Sequence, residues 1–180
     1  MMITEILLSG FGGQGLLRLG KILAWAALKE SKYTVWFPSY GGEMRGGTAH
    51  CFVKISDKPI NSPLVEKSDI AIILNQPSLD KFEKTLKTKG LLVLNSDLVQ
   101  RAPFRRDIRK GIYPLNRIAR ECGTIKVANT VALGALIALQ SSLLGPETIM
   151  VVLKEMFGHN KKIFEQNLEA FYRGQKLVHG

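Results

Sequence analysis

The run Gly10-Phe11-Gly12-Gly13-Gln14-Gly15, with what stands on either side of it, restricts this chain more than any other feature. Before it, Thr4-Glu5-Ile6-Leu7-Leu8-Ser9 is short, apolar and closed by glycine, the pattern of a buried strand. After it, Leu16 to Glu30 is rich in Leu, Ala, Lys and Trp and reads as a helix. A strand, a glycine turn and a helix leave backbone N–H groups pointing outward at the helix start with nothing to bond. Glycine admits positive φ and lets a ligand approach the backbone closely. The helix dipole then favours an anion there, most often phosphate.

The rest of the chain alternates strands with helices, so its 180 residues fit a single α/β domain spanning residues 1–180. The expected architecture is a Rossmann-like open sheet, mostly parallel with an antiparallel strand, with helices on both faces. Tyr33-Thr34-Val35-Trp36-Phe37 forms a second strand that Pro38 ends, and Ala49 to Ile55 forms a third. The loop between them is too short for a crossover helix, so these two strands run antiparallel. Further strands are expected at Ile70–Leu74, Leu91–Leu94 and Thr124–Ala128. Helices are expected at Ser78–Lys87, closed by Gly90, and from Pro114 to near Cys122. Others run from Thr130 to Leu143 with Asn129 as N-cap, from Gly145-Pro146 to near Phe157, and from Lys161 to Arg173.

Charge and composition narrow the classes of function. A formal charge of +10 and a pI of about 9.8 suit an anionic partner, whether nucleic acid, polyphosphate cofactor or acidic protein surface. Only two cysteines are present, Cys51 and Cys122, which excludes a disulfide framework, a self-contained cysteine zinc site and a complete four-cysteine iron–sulfur site on this chain. The N-terminus has no basic segment or cleavage pattern, and Val131–Leu139 is too short to span a bilayer. A cytoplasmic protein with no membrane partner is expected. The segment Arg101–Arg120 carries seven basic side chains. It lacks a recognition-helix or aromatic stacking pattern, and leaves open a nucleic-acid patch, an acidic docking partner or plain solubility.

Several strand ends are polar: Ser39-Tyr40, Asn75-Gln76, Asn95-Ser96 and Asn129. In an open α/β sheet such ends share one edge, where ligands bind in a crevice. Singly, each reads as a turn or cap; beside the glycine loop, the set reads as a small-molecule site. The loop satisfies GxGxxG, yet a dinucleotide site needs an acid at the end of the second strand, and Trp36-Phe37-Pro38-Ser39 supplies none. A P-loop is excluded because no Gly-Lys-Ser/Thr follows. A second loop, Glu43-Met44-Arg45-Gly46-Gly47-Thr48, places a permanent cation beside two glycines and a hydroxyl. It suits bidentate phosphate contact, and equally a hairpin turn with a surface ion pair. His50, His159 and His179 have no partners at metal spacing, and His50 reads as a packing or edge residue. No nucleophile elbow, carboxylate pair or metal triad stands out, so no catalytic or metal-binding residue is assigned.

Three motifs together resemble a known family. Gly-Phe-Gly-Gly-Gln-Gly follows the first strand, Pro38-Ser39-Tyr40-Gly41-Gly42-Glu43-Met44-Arg45-Gly46-Gly47-Thr48 the second, and Leu74-Asn75-Gln76-Pro77-Ser78-Leu79-Asp80 the fourth. They resemble the gamma subunit of the 2-oxoacid:ferredoxin oxidoreductases, in wording closest to the 2-oxoglutarate branch. The resemblance runs to the final helix and departs at Gly42, where most relatives are expected to carry proline.

The resemblance implies a multi-subunit enzyme that oxidatively decarboxylates a 2-oxoacid to its acyl-CoA and passes electrons to ferredoxin. It implies alpha, beta and in some cases delta (ferredoxin-like) partners, which hold thiamine diphosphate, Mg and the iron–sulfur clusters. The isolated chain would then be inactive. The gamma domain is implicated in coenzyme A binding, which by position puts the phosphates on Gly10, Gly12, Gly13, Gln14 and Gly15. Ser39, Tyr40, Arg45, Gly46, Gly47 and Thr48 would form the opposite wall, with Asn129 at its margin. The competing readings are a stand-alone nucleotide- or dinucleotide-binding regulatory protein, and a nucleic-acid binder using Arg101–Arg120.

Overall fold

β1 (Thr4–Phe11) is the third strand of a six-stranded sheet and pairs with neighbours running in opposite directions. This is a computed structural model, and it describes residues 3–39 and 48–178. The other strands are β2 (Tyr33–Ser39), β3 (Thr48–Ser56), β4 (Ser68–Ile73), β5 (Leu86–Asn95) and β6 (Arg109–Tyr113), in the order β2-β3-β1-β4-β5-β6. β3 is antiparallel to both β1 and β2, while β1, β4, β5 and β6 are parallel. One reversed strand between two others means that β2 points the same way as β1. The carboxyl ends of β1, β2, β4, β5 and β6 therefore share one edge, where β3 begins.

Helices flank the sheet unevenly. α1 (Leu16–Lys29), α3 (Leu115–Glu121), α4 (Ala128–Leu139), α5 (Pro146–Phe157) and α6 (Lys161–Lys176) all feed one core, built on Ile6, Leu8, Val53, Ile72 and Val93. The short α2 (Gln76–Phe82) covers the other face, over Leu7, Ala71, Ile73 and Leu92. α4 is buried nearly all round, as its unbroken apolar sequence requires.

Local chemistry moves several boundaries from those expected. β2 runs through Pro38 to Ser39, which an edge strand tolerates because one side of its backbone makes no ladder bonds. The helix expected at Ser78–Lys87 stops at Phe82, passes through a 3-10 turn at Glu83–Thr85, and gives way to β5 at Leu86. Lys87 is drawn into the sheet by Glu5 and Asp69, each 2.9 Å from its ammonium. Gly90 closes no helix; it marks a kink in β5, where the β4–β5 register shifts and Lys89 takes a φ of 62°. β6 was not expected, because RKGIY at the sheet edge buries only Gly111. Thr124–Ala128 is not a strand: Thr124 Oγ1 accepts from Lys126 N, and Ile125–Val127 forms a 3-10 turn leading into α4. α4 starts before Asn129 and ends at Leu139, so Asn129 lies in the first turn and is not the N-cap.

Candidate functional site

The glycine loop fastens itself. Gln14 N donates to Phe11 O at 3.2 Å, and Phe11 N donates back to Gln14 Oε1 at 2.6 Å. Gly13 and Gly15 take φ values of 90° and 75°, conformations that cost an L side chain about 1–2 kcal/mol. Gly15 is the N-cap of α1 and, having no side chain, leaves the first turn uncapped. The amides of Gly12, Gly13, Leu16 and Leu17 find no acceptor among the described residues. No acid occupies the first turn of α1. Among the described residues a Cβ built on Gly13 would meet nothing within 4 Å, and Gly13 itself is exposed. Gly10, by contrast, is buried, and a side chain there would strike Gln14 Oε1 and stand 3.0 Å from Leu74 Cβ. Its role is to let the loop close.

Asn129 holds the loop from behind. Its Nδ2 donates to Gly15 O at 3.0 Å, and its Oδ1 accepts from Thr130 N at 2.9 Å. Thr130 Oγ1 bonds Asn167 Oδ1 at 2.7 Å, and Asn167 Nδ2 donates to Ile163 O. A chain of hydrogen bonds thus runs from the glycine turn through α4 to α6. The Thr130–Asn167 link carried no sequence signal, since polar residues inside two separate helices have no common spacing.

Ser39 and Thr48 reach the same edge as the loop. Ser39 is in register with His50, and Thr48 with Phe11, the residue before Gly12. Tyr40, Arg45, Gly46 and Gly47 lie outside the described residues.

The other polar strand ends are engaged in holding the edge together. Asn75 Oδ1 accepts from Ser78 N and so caps α2, while Ser9 Oγ and Ser78 Oγ pair at 2.8 Å. Asn95 Nδ2 donates to Asn116 Oδ1 and Leu74 O. Gln76 Oε1 accepts from the amides of Gln100 and Arg101. The edge brings these residues together as turns and caps, although among the described residues Asn75 Nδ2 is buried with no partner.

The titrating groups nearby are quiet. Burial, with Lys81 adding to it, pushes His50 below its ordinary range, so at neutral pH it is the uncharged imidazole. Its ring packs against Phe82 and Phe52, and its Nδ1 is buried without a partner among the described residues. Burial drives the Cys51 thiol up to about 12, which makes it an inert apolar side chain. Arg18 stacks over Phe157 with its guanidinium carbon 5.6 Å from the ring centre.

Much of the basic segment is also committed. Arg101 pairs with Asp80 and Glu83, Arg105 with Asp107, and Arg109 donates to Leu139 O and Gln140. Among the described residues no group of three His, Cys, Asp or Glu could hold a metal ion, and no helix is long and apolar enough to cross a membrane.

Residues 5–177 match the pyruvate ferredoxin/flavodoxin oxidoreductase family. The chain belongs to that family. It is similar to the ketoisovalerate oxidoreductase subunit VorA of Methanothermobacter thermautotrophicus, at 39% identity over 95% of this chain and 35% of the relative. It thus spans about a third of that relative's length. It is also 39% identical to the 2-oxoglutarate synthase subunit KorC of Methanocaldococcus jannaschii, over 98% of this chain and 95% of the other. Among solved structures, the gamma subunit of a keto/oxoacid ferredoxin oxidoreductase from Geobacter sulfurreducens superposes with a TM-score of 0.89 at 33% identity, covering 99% of this chain and 98% of that one. The family suggested by the three sequence motifs is the family found, and the α/β fold agrees with that gamma subunit.

Proposed function

We propose that the chain is the gamma subunit of a cytoplasmic 2-oxoacid:ferredoxin oxidoreductase, that it binds coenzyme A, and that the oxoacid is 2-oxoglutarate. The observation that carries the coenzyme A reading is the set of amides at the start of α1 that find no acceptor among the described residues, presented by a turn with no described atom within 4 Å of a Cβ built on Gly13. A diphosphate suits that turn: its oxygens take hydrogen bonds from Gly12, Gly13 and the first residues of α1, and the positive end of the helix dipole faces them. No carboxylate in the first turn opposes it.

Gln14 and Asn129 act on the loop and not on the ligand. Gln14 fixes the turn through Phe11 N, and Asn129 fixes the Gly15 carbonyl. Ser39, Tyr40, Arg45, Gly46, Gly47 and Thr48 provide the second wall, with Arg45 supplying the bidentate cation. The bound coenzyme supplies the thiol that accepts the acyl group. The chain's own contribution is to bind it and orient it toward alpha, beta and, where present, delta partners, which hold thiamine diphosphate, Mg and the iron–sulfur clusters. Positioning of this kind needs no acid, base or nucleophile from the gamma chain. The 2-oxoglutarate assignment is supported by the wording of the Pro38–Thr48 motif and by the KorC relative, which this chain covers over 95% of its length.

Calorimetry tests the reading. Coenzyme A is expected to bind the isolated chain, and NADH to bind at least tenfold more weakly. Gly13→Val, which forces a branched side chain to positive φ, and Arg45→Ala should each weaken coenzyme A by tenfold or more. Undiminished affinity in both variants would remove these two loops from the site.

A further inference from the structure

The carbonyl of Gly15 takes two hydrogen bonds. Leu19 N donates to it at 2.9 Å, as the first bond of α1, and Asn129 Nδ2 donates to it at 3.0 Å. A peptide unit is planar and trans, so fixing this carbonyl also fixes the N–H on the far side of the same unit. That group is Leu16 N–H, one of the amides with no acceptor among the described residues. Asn129, itself buried, therefore aims a donor of the loop from behind it. Gly15 makes room for this contact. A Cβ built there would stand 2.5 Å from Asn129 Nδ2, so the amide fills space that any side chain would take.

What holds Asn129 is the seat of α4 on α6. Its Oδ1 accepts from Thr130 N at 2.9 Å. The Thr130 hydroxyl has one proton to give, and donates it to Asn167 Oδ1 at 2.7 Å. Asn167 Nδ2 in turn donates to Ile163 O at 2.8 Å, one turn back on α6. Asn129, Thr130 and Asn167 are all buried, in and against a helix that is otherwise apolar. A buried polar pair adds little net stability over an apolar pair of the same shape; what it can add is a fixed register. The seam between the helices shows where register is needed. Thr130 lies one turn before Gly134 on α4, and Asn167 two turns before Gly174 on α6, so the hydrogen bond and the glycine contact share one seam. The glycines let the helices approach but carry no side chain to stop them turning about one another. The Thr130–Asn167 bond supplies that stop.

We propose that Thr130 and Asn167 are positioning residues for the coenzyme loop. By fixing α4 on α6 they hold the Asn129 amide on Gly15 O, and so set the direction of Leu16 N–H and with it the affinity for a diphosphate. Neither residue touches the ligand. The inference rests on the coenzyme reading above for its ligand, and not for its effect on the loop.

Thr130→Val keeps the shape of the side chain and removes the hydroxyl, whereas Thr130→Ser keeps the hydroxyl. Leu92→Val, in the core on the opposite face of the sheet, controls for general loosening. In calorimetry on the full chain, Thr130→Val and Asn167→Leu should each weaken coenzyme A about three- to tenfold, the scale of one lost hydrogen bond. Thr130→Ser and Leu92→Val should stay within about twofold of the unaltered chain. Combining Thr130→Val with Asn167→Leu should weaken binding no further than either alone, because both break the same bond. The ligand-free chain gives a second readout. By NMR, the Asn129 Nδ2 protons of Thr130→Val should exchange with water at least about tenfold faster and the Leu16 amide resonance should move, with neither change in Thr130→Ser or Leu92→Val. Unchanged Asn129 exchange in Thr130→Val would overturn the proposal, as would an equal loss of affinity in Leu92→Val. An unaltered chain that binds no coenzyme A would sink the cofactor reading alone, and the ligand-free readout would then decide this proposal by itself.

Discussion

Two ammonium groups converge on Glu5: Lys54 Nζ stands 3.0 Å from Oε1 and Lys87 Nζ 2.9 Å from Oε2. Asp69 joins them, bonding Lys87 and accepting from Glu5 N at 2.8 Å. Burial works to raise the Glu5 carboxyl, but the two lysines outweigh it and hold it below the usual carboxylate range. A depressed folded-state value means that the pair stabilises the protein above the unfolded carboxylate pKa of about 4.3, and that this stability is lost as pH falls through the lower, folded value. Glu5→Gln removes the charge and leaves the buried Lys54 ammonium without its partner. The expected cost at pH 7 is roughly 2–3 kcal/mol, somewhat below that of a fully buried pair because Lys87 is partly in water. Thermal unfolding of both proteins across pH should show the gap at its full size near pH 7 and closing below about pH 4. A gap that stayed constant with pH would mean that the carboxylate charge is not what stabilises this corner.

At the scale of elements, the closest joint is between α4 and α6. A Cβ placed on Gly134 would run into Phe171 O and lie 3.0 Å from Gly174 Cα; one on Gly174 would run into Val131 O. The helices meet backbone to backbone, and that contact carries the Thr130–Asn167 bond leading back to the glycine loop. Gly174→Ala should gain up to about 1 kcal/mol of helix propensity but force the helices apart. A net loss of roughly 1–2 kcal/mol in urea unfolding is expected, and a stabilised variant would show that the joint can open freely. Nothing in the sequence around Gly134 announced this. The glycine reads as a weak spot in an apolar helix until its partner on α6 is known. The first half of the chain was more legible, because strand, glycine turn and helix are adjacent in sequence and their apolar runs are strong. The antiparallel β2–β3 pair followed from loop length alone. Elements fixed by distant contacts were not legible: β6 has almost no apolar signal, β5 begins where Lys87 meets Glu5, and Thr124 turns a β-branched run into a 3-10 turn. The same division holds at the site. The glycine loop is visible as a motif, and the sequence offers Asn129 as an N-cap and a residue at the margin of the coenzyme site; only the folded chain brings its side chain to Gly15 O.

Across the whole molecule, scaffold and site should separate in one experiment. A ligand that binds only the folded chain adds RT ln(1 + [L]/Kd), about 2.7 kcal/mol at a hundred times Kd. For a domain of this size each kcal/mol moves Tm by about 2–4 °C, so saturating coenzyme A should raise Tm by roughly 5–11 °C. The two classes of variant then behave differently. Glu5→Gln lies at the opposite edge of the sheet from the glycine loop, so it should lower the starting Tm and keep the full coenzyme-induced rise. Gly13→Val substitutes an exposed turn residue with open space around it, so its starting Tm should fall only by the backbone strain of a positive φ. The coenzyme-induced rise should largely vanish. A Gly13→Val protein that kept the rise would show that the ligand binds away from the loop. An unaltered protein with no rise at all would remove the coenzyme from this chain and leave the fold as it stands.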